Sequence, residues 1–412
     1  MSLPSWSMRP DEKLVLTMKE MQRIEILRQV EAHRLDVEAG ATALGRSVRT
    51  VYRLLELLRS KGIKGLRHGN KGQPSPRRIS QAVRDQVLQL ARSEFADVND
   101  THLRELLFRR KKLRIGRETL RSLLRADGIG PKRHRRSKKY RSRRERKPAF
   151  GFMLQLDASP HDWLEGRGPW LTLVGAIDDA TNFRWARFVQ VENSWAYLDL
   201  LSQVCLSHGL PLSLYADKHS AFFVNREPTL GEQLRGLAPV TQFGRAVDEL
   251  GIELIRAHSP QAKGRIERQW AFLQDRLVVE LRLAGACTID QANVVLQRVL
   301  HDYNNRFRVA PVDAVPVFRK SPRPELLQRI LCLKDTRIVA KDHTVSFEGL
   351  TLQIPPSKLF RSIAGKKVSV LQLSGGTIEI HYRSACVARF SQVAVARLLA
   401  QKPNLKTELR AA

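Results

Sequence analysis

The stretch GFMLQLDASPHDWLEGRGPWLTLVGAIDDATNFRWARFVQV, residues 151–191, decides how the chain folds. Its three short apolar runs, Phe152–Leu156, Trp170–Ile177 and Arg184–Val191, are separated by Gly, Pro, Asp and Asn, so each reads as a strand. The period then changes. A helix is predicted over Trp195–His208, then a fourth strand at Leu212–Ala216 and a fifth at Glu253–Arg256. Three consecutive strands leading an α/β alternation predict a sheet with helices packed on it. Asp157 follows the first strand and Asp217 the fourth, so each strand is expected to end in a carboxylate.

Outward from this core lies His258-Ser-Pro-Gln-Ala-Lys-Gly-Arg-Ile-Glu-Arg268, where Ser259 can cap a helix and Pro260 can occupy its first position. Glu267 then falls on the second helical turn. Two aspartates and a glutamate are the hard oxygen donors required by a pair of divalent cations roughly 3.5–4 Å apart. Held close without metal they repel, so cation binding should depend on pH. Lys218, Lys263 and Arg268 lie beside these acids, either as their counter-charges or as contacts for phosphate groups. Among the other acids, Asp178-Asp-Ala-Thr-Asn182 reads as a β-turn closed by its own side chains. Asp162 and Glu165 fall in a Gly/Pro-containing loop, and His161, His219 and His258 read as hydrogen-bonding loop residues. Glu227–Val247 reads as an insertion, and Thr288–Arg308 as a helix closing the core.

Taken together, Gln155-Leu-Asp157, Asp217-Lys-His-Ser-Ala-Phe222 and Ser259-Pro-Gln-Ala-Lys-Gly-Arg-Ile-Glu267-Arg resemble the three motifs of the DDE transposase and retroviral integrase superfamily, and most closely the insertion-sequence transposases of the ISNCY group. The resemblance implies an RNase H-like core over 149–320, with Asp157, Asp217 and Glu267 as catalytic metal ligands for Mg²⁺, for which Mn²⁺ can substitute. It further implies cleavage and strand transfer at insertion-sequence ends, on double-stranded DNA as terminal repeats and as target. The working form would be a homodimer or a larger synaptic assembly. The fifty positions from Asp217 to Glu267 exceed the usual integrase interval, and Lys218-His219 replaces the Gly or Asn usual after the second aspartate. Two other readings are a helix-turn-helix regulator whose core has lost catalysis, and an RNase H-like nuclease that cuts without joining.

Charge supports a nucleic-acid partner. The 412 residues carry 71 Lys+Arg against 41 Asp+Glu, a net +30, and residues 1–150 hold 38 of those bases with only 16 of the acids. Within 1–66, apolar residues at helical spacing from Leu14 to Val30, an Ala-rich segment Val37–Leu44, a turn at Gly45 and a third helix capped by Ser47 form a helix-turn-helix. The start of its second helix would offer Arg46, Arg49, Thr50 and Arg53 to the major groove. Residues 67–78 read as a linker. A second helical unit over 79–131 repeats the pattern, with Arg117 and Arg121 facing outward. The connector 132–148 is almost purely basic, with Arg135, Arg136, Lys138 and Lys139 as phosphate contacts.

From residue 330 to 395, six strand-like alternations predict a small all-β barrel, with Lys366, Lys367 and Arg383 as possible DNA contacts. The expected architecture is therefore multidomain: an all-α tandem helix-turn-helix part, an α/β RNase H-like core and an all-β tail. No cysteine precedes Cys205 and there is no CxxC pair, which excludes an N-terminal zinc knuckle. With no apolar run long enough to span a bilayer and no secretory signal, a cytoplasmic, nucleoid-associated bacterial protein without a membrane partner is expected.

Overall fold

The computed structural model describes residues 16–66, 78–132, 145–224, 226–227, 229, 233–234, 239–257, 264–356 and 360–400. Two compact units divide it, one ending at Asp85 and one beginning at Gln86.

The first unit holds α1 (Met18–Glu31), α2 (Val37–Leu44) and α3 (Val48–Gly65). A capping box starts α1: Glu20 N–H donates to the Thr17 hydroxyl, and the Glu20 carboxylate accepts from Thr17 N–H. Gly45, at φ 60°, ends α2 in the left-handed region, which favours glycine, and Ser47 accepts from Thr50 N–H to begin α3. Ile24, Leu27, Val30, Val51, Leu55 and Leu58 bury one shared core, as the periodicity predicts.

α4 (Gln81–Arg92) crosses the boundary, and α5 (Asp100–Lys111) and α6 (Arg117–Ala126) belong to the larger unit. Its centre is a five-stranded sheet of β1 (Met153–His161), β2 (Leu171–Asp178), β3 (Arg184–Val189), β4 (Ser213–Ala216) and β5 (Glu253–Arg256), in the order β3-β2-β1-β4-β5. β1, β2 and β3 are antiparallel, whereas β4 and β5 join β1 in parallel. This mixed order is the RNase H-like topology. α7 (Ser194–Ser207) and α8 (Gln242–Glu249) cover one face with Tyr197, Leu201, Phe243 and Val247. α9 (Gly264–Leu283) and α10 (Ile289–Phe307) cover the other with Ile266, Trp270, Leu273, Val295 and Leu296. α8 thus makes part of the expected insertion a core helix.

β1 corrects one expectation. It runs on to His161 against β2 and is not finished at Leu156, so Asp157 lies within a strand. Only its parallel edge stops early, at Gln155↔Tyr215.

α11 (Pro324–Ile330) leads into the tail. There β6 (Leu333–Ile338), β9 (Lys367–Gln372), β10 (Ile378–Tyr382) and β11 (Ala385–Phe390) form a four-stranded sheet, and β7 (Thr344–Phe347) pairs with β8 (Leu350–Gln353) as a hairpin. The expected closed barrel is not found. With the order β11-β10-β9-β6, β6 and β11 remain separate edges, and the sheet is open among the described residues. The hairpin and α12 (Gln392–Ala400) instead pack on the sheet's apolar face, through Val345, Leu352, Val395 and Leu398 against Val368, Val370 and Ile380.

Candidate active site

The parallel register Met153↔Ser213, Leu154↔Leu214, Gln155↔Tyr215 ends two residues short of both Asp157 and Asp217, so the two aspartates follow the same end of the β1–β4 pairing. Leu154 and Leu156 point into the α7 side of the sheet, so alternation turns Asp157 toward α9. Asp217 is the first residue beyond β4, and its Oδ1 accepts from the backbone N–H of His219 at 3.1 Å. Both aspartates act on Tyr197. Burial pushes this phenol well above its usual range, and the negative charges of Glu192, Asp157 and Asp217 push it further. The Tyr197 hydroxyl donates to Glu192 at 2.6 Å.

Glu267 lies exposed in the first turn of α9. Three polar rungs hold this helix on the sheet. Arg265 pairs with buried Asp179, the Trp270 indole Nε1–H donates to Asp157 Oδ2 at 2.8 Å, and Gln274 Nε2 donates to Ser159 Oγ at 3.0 Å. Gly175 is the β2 partner of Asp157 in the register. A Cβ there would stand 2.6 Å from Trp270 Cη2, so any larger residue would push against the indole that reaches the carboxylate. None of Arg265, Trp270 and Gly175 was singled out in the sequence. The available signal was that Trp270 stands three residues after Glu267, on the same helical face.

The three carboxylates do not converge within 4.8 Å of one another. Among the described residues, the group that does so is Glu379, His381 and Cys386 in the tail, where Glu379 is already paired with Arg329 at 2.9 Å and Arg389 at 3.5 Å. The donor chemistry at Asp157, Asp217 and Glu267 nonetheless fits a hard divalent cation: all three offer carboxylate oxygens, one on β1, one just beyond β4 and one on the helix bonded to Asp157.

The other acids have local work. Asp178 is fully buried and accepts from Gly151 N–H, Thr181 N–H and the Thr181 hydroxyl, closing the expected turn; its burial raises its pKa despite those bonds. Asp162 accepts from Gly166 N–H, and Glu165 pairs with Arg167 and Arg282. His161 packs edge-on against Trp163.

α5 is joined to α9 and α10 by ion pairs that periodicity does not reveal. Glu280 of α9 accepts from Arg109 at 2.7 Å and contacts the fully buried His102 ring at 3.2 Å, with Arg110 at 3.8 Å. Burial alone would raise the Glu280 carboxyl, but the His102 hydrogen bond and the Arg109 charge outweigh it and lower the pKa to about 2. Beside it, Glu105 bridges Arg276 of α9 and Arg306 of α10, each at 2.8 Å.

On α3 and the turn before it, Arg46, Arg49 and Arg53 are exposed, while Thr50 is half-buried with its hydroxyl 2.9 Å from Ser47 Oγ. Arg117 and Arg121 are exposed on α6, where Arg121 lies 3.9 Å from Glu118. Lys218 and Arg268 are exposed next to Asp217 and Glu267. Arg135, Arg136, Lys138, Lys139, Lys263 and His258 lie outside the described residues. No helix among the described residues is long and apolar enough to cross a membrane.

The winged helix-turn helix family matches residues 23–85. "Putative transposase y4bF" of Sinorhizobium fredii (strain NBRC 101917 / NGR234) is 35% identical over 372 residues, which are 90% of this chain and 80% of that protein. "Transposase for insertion sequence IS1202" of Streptococcus pneumoniae is 29% identical, over 81% of this chain and 77% of its own length. Among solved structures, the HTLV-2 integrase catalytic core domain in complex with magnesium (dimeric form) covers 38% of this chain and 89% of its own, at 15% identity and a TM-score of 0.30. The simian T-cell lymphotropic virus intasome in complex with PP2A regulatory subunit B56 gamma covers 73% of this chain and 95% of its own, at 13% identity and a TM-score of 0.32.

Proposed function

This chain belongs to the DDE-type insertion-sequence transposases, and on that premise we propose that Asp157, Asp217 and Glu267 are its catalytic carboxylates and that they hold a pair of Mg²⁺ ions, replaceable by Mn²⁺. The protein is a DNA-binding polynucleotidyl transferase. What supports the assignment is that Asp157 and Asp217 each stand two residues past the last parallel β1–β4 pair, Gln155↔Tyr215, together with the Trp270 bond that joins Asp157 to the helix of Glu267. When bound, the metal pair supplies positive charge to the attacking and leaving oxygens.

The chain's own residues orient the DNA strand. Lys218 and Arg268 hold its phosphates beside the carboxylates, while Arg46, Arg49 and Arg53 on one unit and Arg117 and Arg121 on the other bind the element end. Thr50 contributes through its Ser47 bond, setting the start of α3, more than as a base contact. In the first step water attacks a phosphodiester at the element end: a new P–O bond forms, the bond to the 3′-oxygen breaks, and that oxygen takes up a proton. In the second step the freed 3′-hydroxyl attacks a target phosphodiester in line, a new P–O bond forms, and the displaced target oxygen leaves with a proton. Two ends must be held at once, so the working form is a dimer or larger synaptic assembly, in the cytoplasm at the nucleoid.

The test is strand cleavage and joining on element-end DNA with Mg²⁺. Asp157→Asn, Asp217→Asn and Glu267→Gln should each abolish both steps while binding persists. Wild-type rates in any of the three remove that residue from the site.

A further inference from the structure

We propose that Trp270 is a positioning residue for the reaction: its indole N–H orients the Asp157 carboxylate toward the cation and ties the register of α9, and with it Glu267, to β1. The inference rests on the reading of Asp157 as a metal ligand. Two independent observations carry it. The first is the 2.8 Å bond from Trp270 Nε1 to Asp157 Oδ2, made one helical turn beyond Glu267. The second is the cradle beneath the ring: Gly175 is the register partner of Asp157, and a methyl group there would stand 2.6 Å from Cη2. A buried indole N–H needs an acceptor in any core; what sets this one apart is that its acceptor is the Asp157 carboxylate, with a glycine standing opposite the ring.

The ring is 8% exposed, so the bond is shielded from water, where charge-assisted hydrogen bonds are strongest. A donor to one carboxylate oxygen fixes the plane in which the group can meet a cation. Groups that orient metal ligands in this way typically change metal affinity or activity about 10- to 100-fold when removed. Because Trp270 and Glu267 share a helix, the same bond sets where the third carboxylate stands along β1. Arg265 and Gln274, on either side, hold the helix through Asp179 and Ser159.

Trp270→Phe keeps an aromatic ring and deletes the donor, and Gly175→Ala keeps the donor and displaces the ring. The full-length chain is melted in EDTA and then across a Mg²⁺ series, with the metal alone as probe, and strand cleavage is titrated with Mg²⁺ in parallel. Both variants should need about tenfold more Mg²⁺ for half of the metal-induced rise in melting temperature and for half-maximal cleavage. DNA binding in EDTA should be unchanged. A purely structural role would lower the melting temperature equally with and without Mg²⁺ and leave the metal midpoint at its wild-type value, and that result overturns the proposal. If Trp270→Phe does not fold, Gly175→Ala alone decides by the same midpoint. Asp157→Asn separates the two levels: if it retains the wild-type Mg²⁺ response, the metal-site assignment fails, whereas if it loses the response and the other two variants keep theirs, only the role of Trp270 fails.

Discussion

Replacing Glu280 with Gln keeps the size of the side chain and its ability to accept from His102, and removes only the charge facing Arg109 and Arg110. Glu280 is 6% exposed and its carboxyl is lowered to about 2 from an ordinary 4.5. That difference corresponds to about 3 kcal/mol of folding stability at neutral pH. Arg109 is 40% exposed and can recover hydration, so the loss should stay near the lower end of the 3–5 kcal/mol typical of a broken buried pair. The sign follows from the lowered pKa: the contribution is complete above about pH 4.5 and disappears as the pH falls through about 2. At pH 3 the difference between the two proteins should have shrunk to less than half of its value at pH 7. Urea denaturation followed by tryptophan fluorescence suits the measurement, because Trp163, Trp170, Trp185, Trp195 and Trp270 all lie in the larger unit. A difference below about 0.5 kcal/mol at pH 7, or one that does not shrink toward pH 3, would refute the reasoning.

Two further outcomes follow from the reading arm. Ser47→Ala removes the cap of α3 and should cost about 1 kcal/mol in the thermal stability of the first unit, with weaker binding to element ends in a mobility-shift assay. Arg53→Ala should lower the slope of log affinity against log salt by about 1, whereas Asp157→Asn should leave that slope at its wild-type value.

The sequence and the structure agree where the signal is local. The turn at Asp178 was legible because its partners, Thr181 N–H and Oγ, are three residues away. α3 was legible because Ser47 caps it and Val51, Leu55 and Leu58 recur at helical spacing. The first strand was expected to end at Leu156 and runs on to His161, because β1 has two different partners and its edges end at different places. The tail failed for a related reason: alternation identifies the strands, while closure depends on whether β6 meets β11, a pairing no local pattern encodes. Glu105, Arg109, Arg276 and Glu280 were not singled out in the sequence, since partners about 170 positions apart leave no periodic trace. Trp270 was hidden by its own residue type, for a tryptophan on a helix reads first as core.

The docking of α5 on α9 bears on how such a chain can be cut and recombined. A border at residue 131 or 132, where the basic connector begins, suggests itself for exchanging the DNA-reading portion between relatives. It would place a foreign α5 against the resident α9, leaving Glu280 without His102 and Arg276 without Glu105. A border within 67–78 carries α5 along with α9, the helix it pairs with. The interchangeable module is therefore the first three helices, and α5 is inherited together with the core helices it is bonded to.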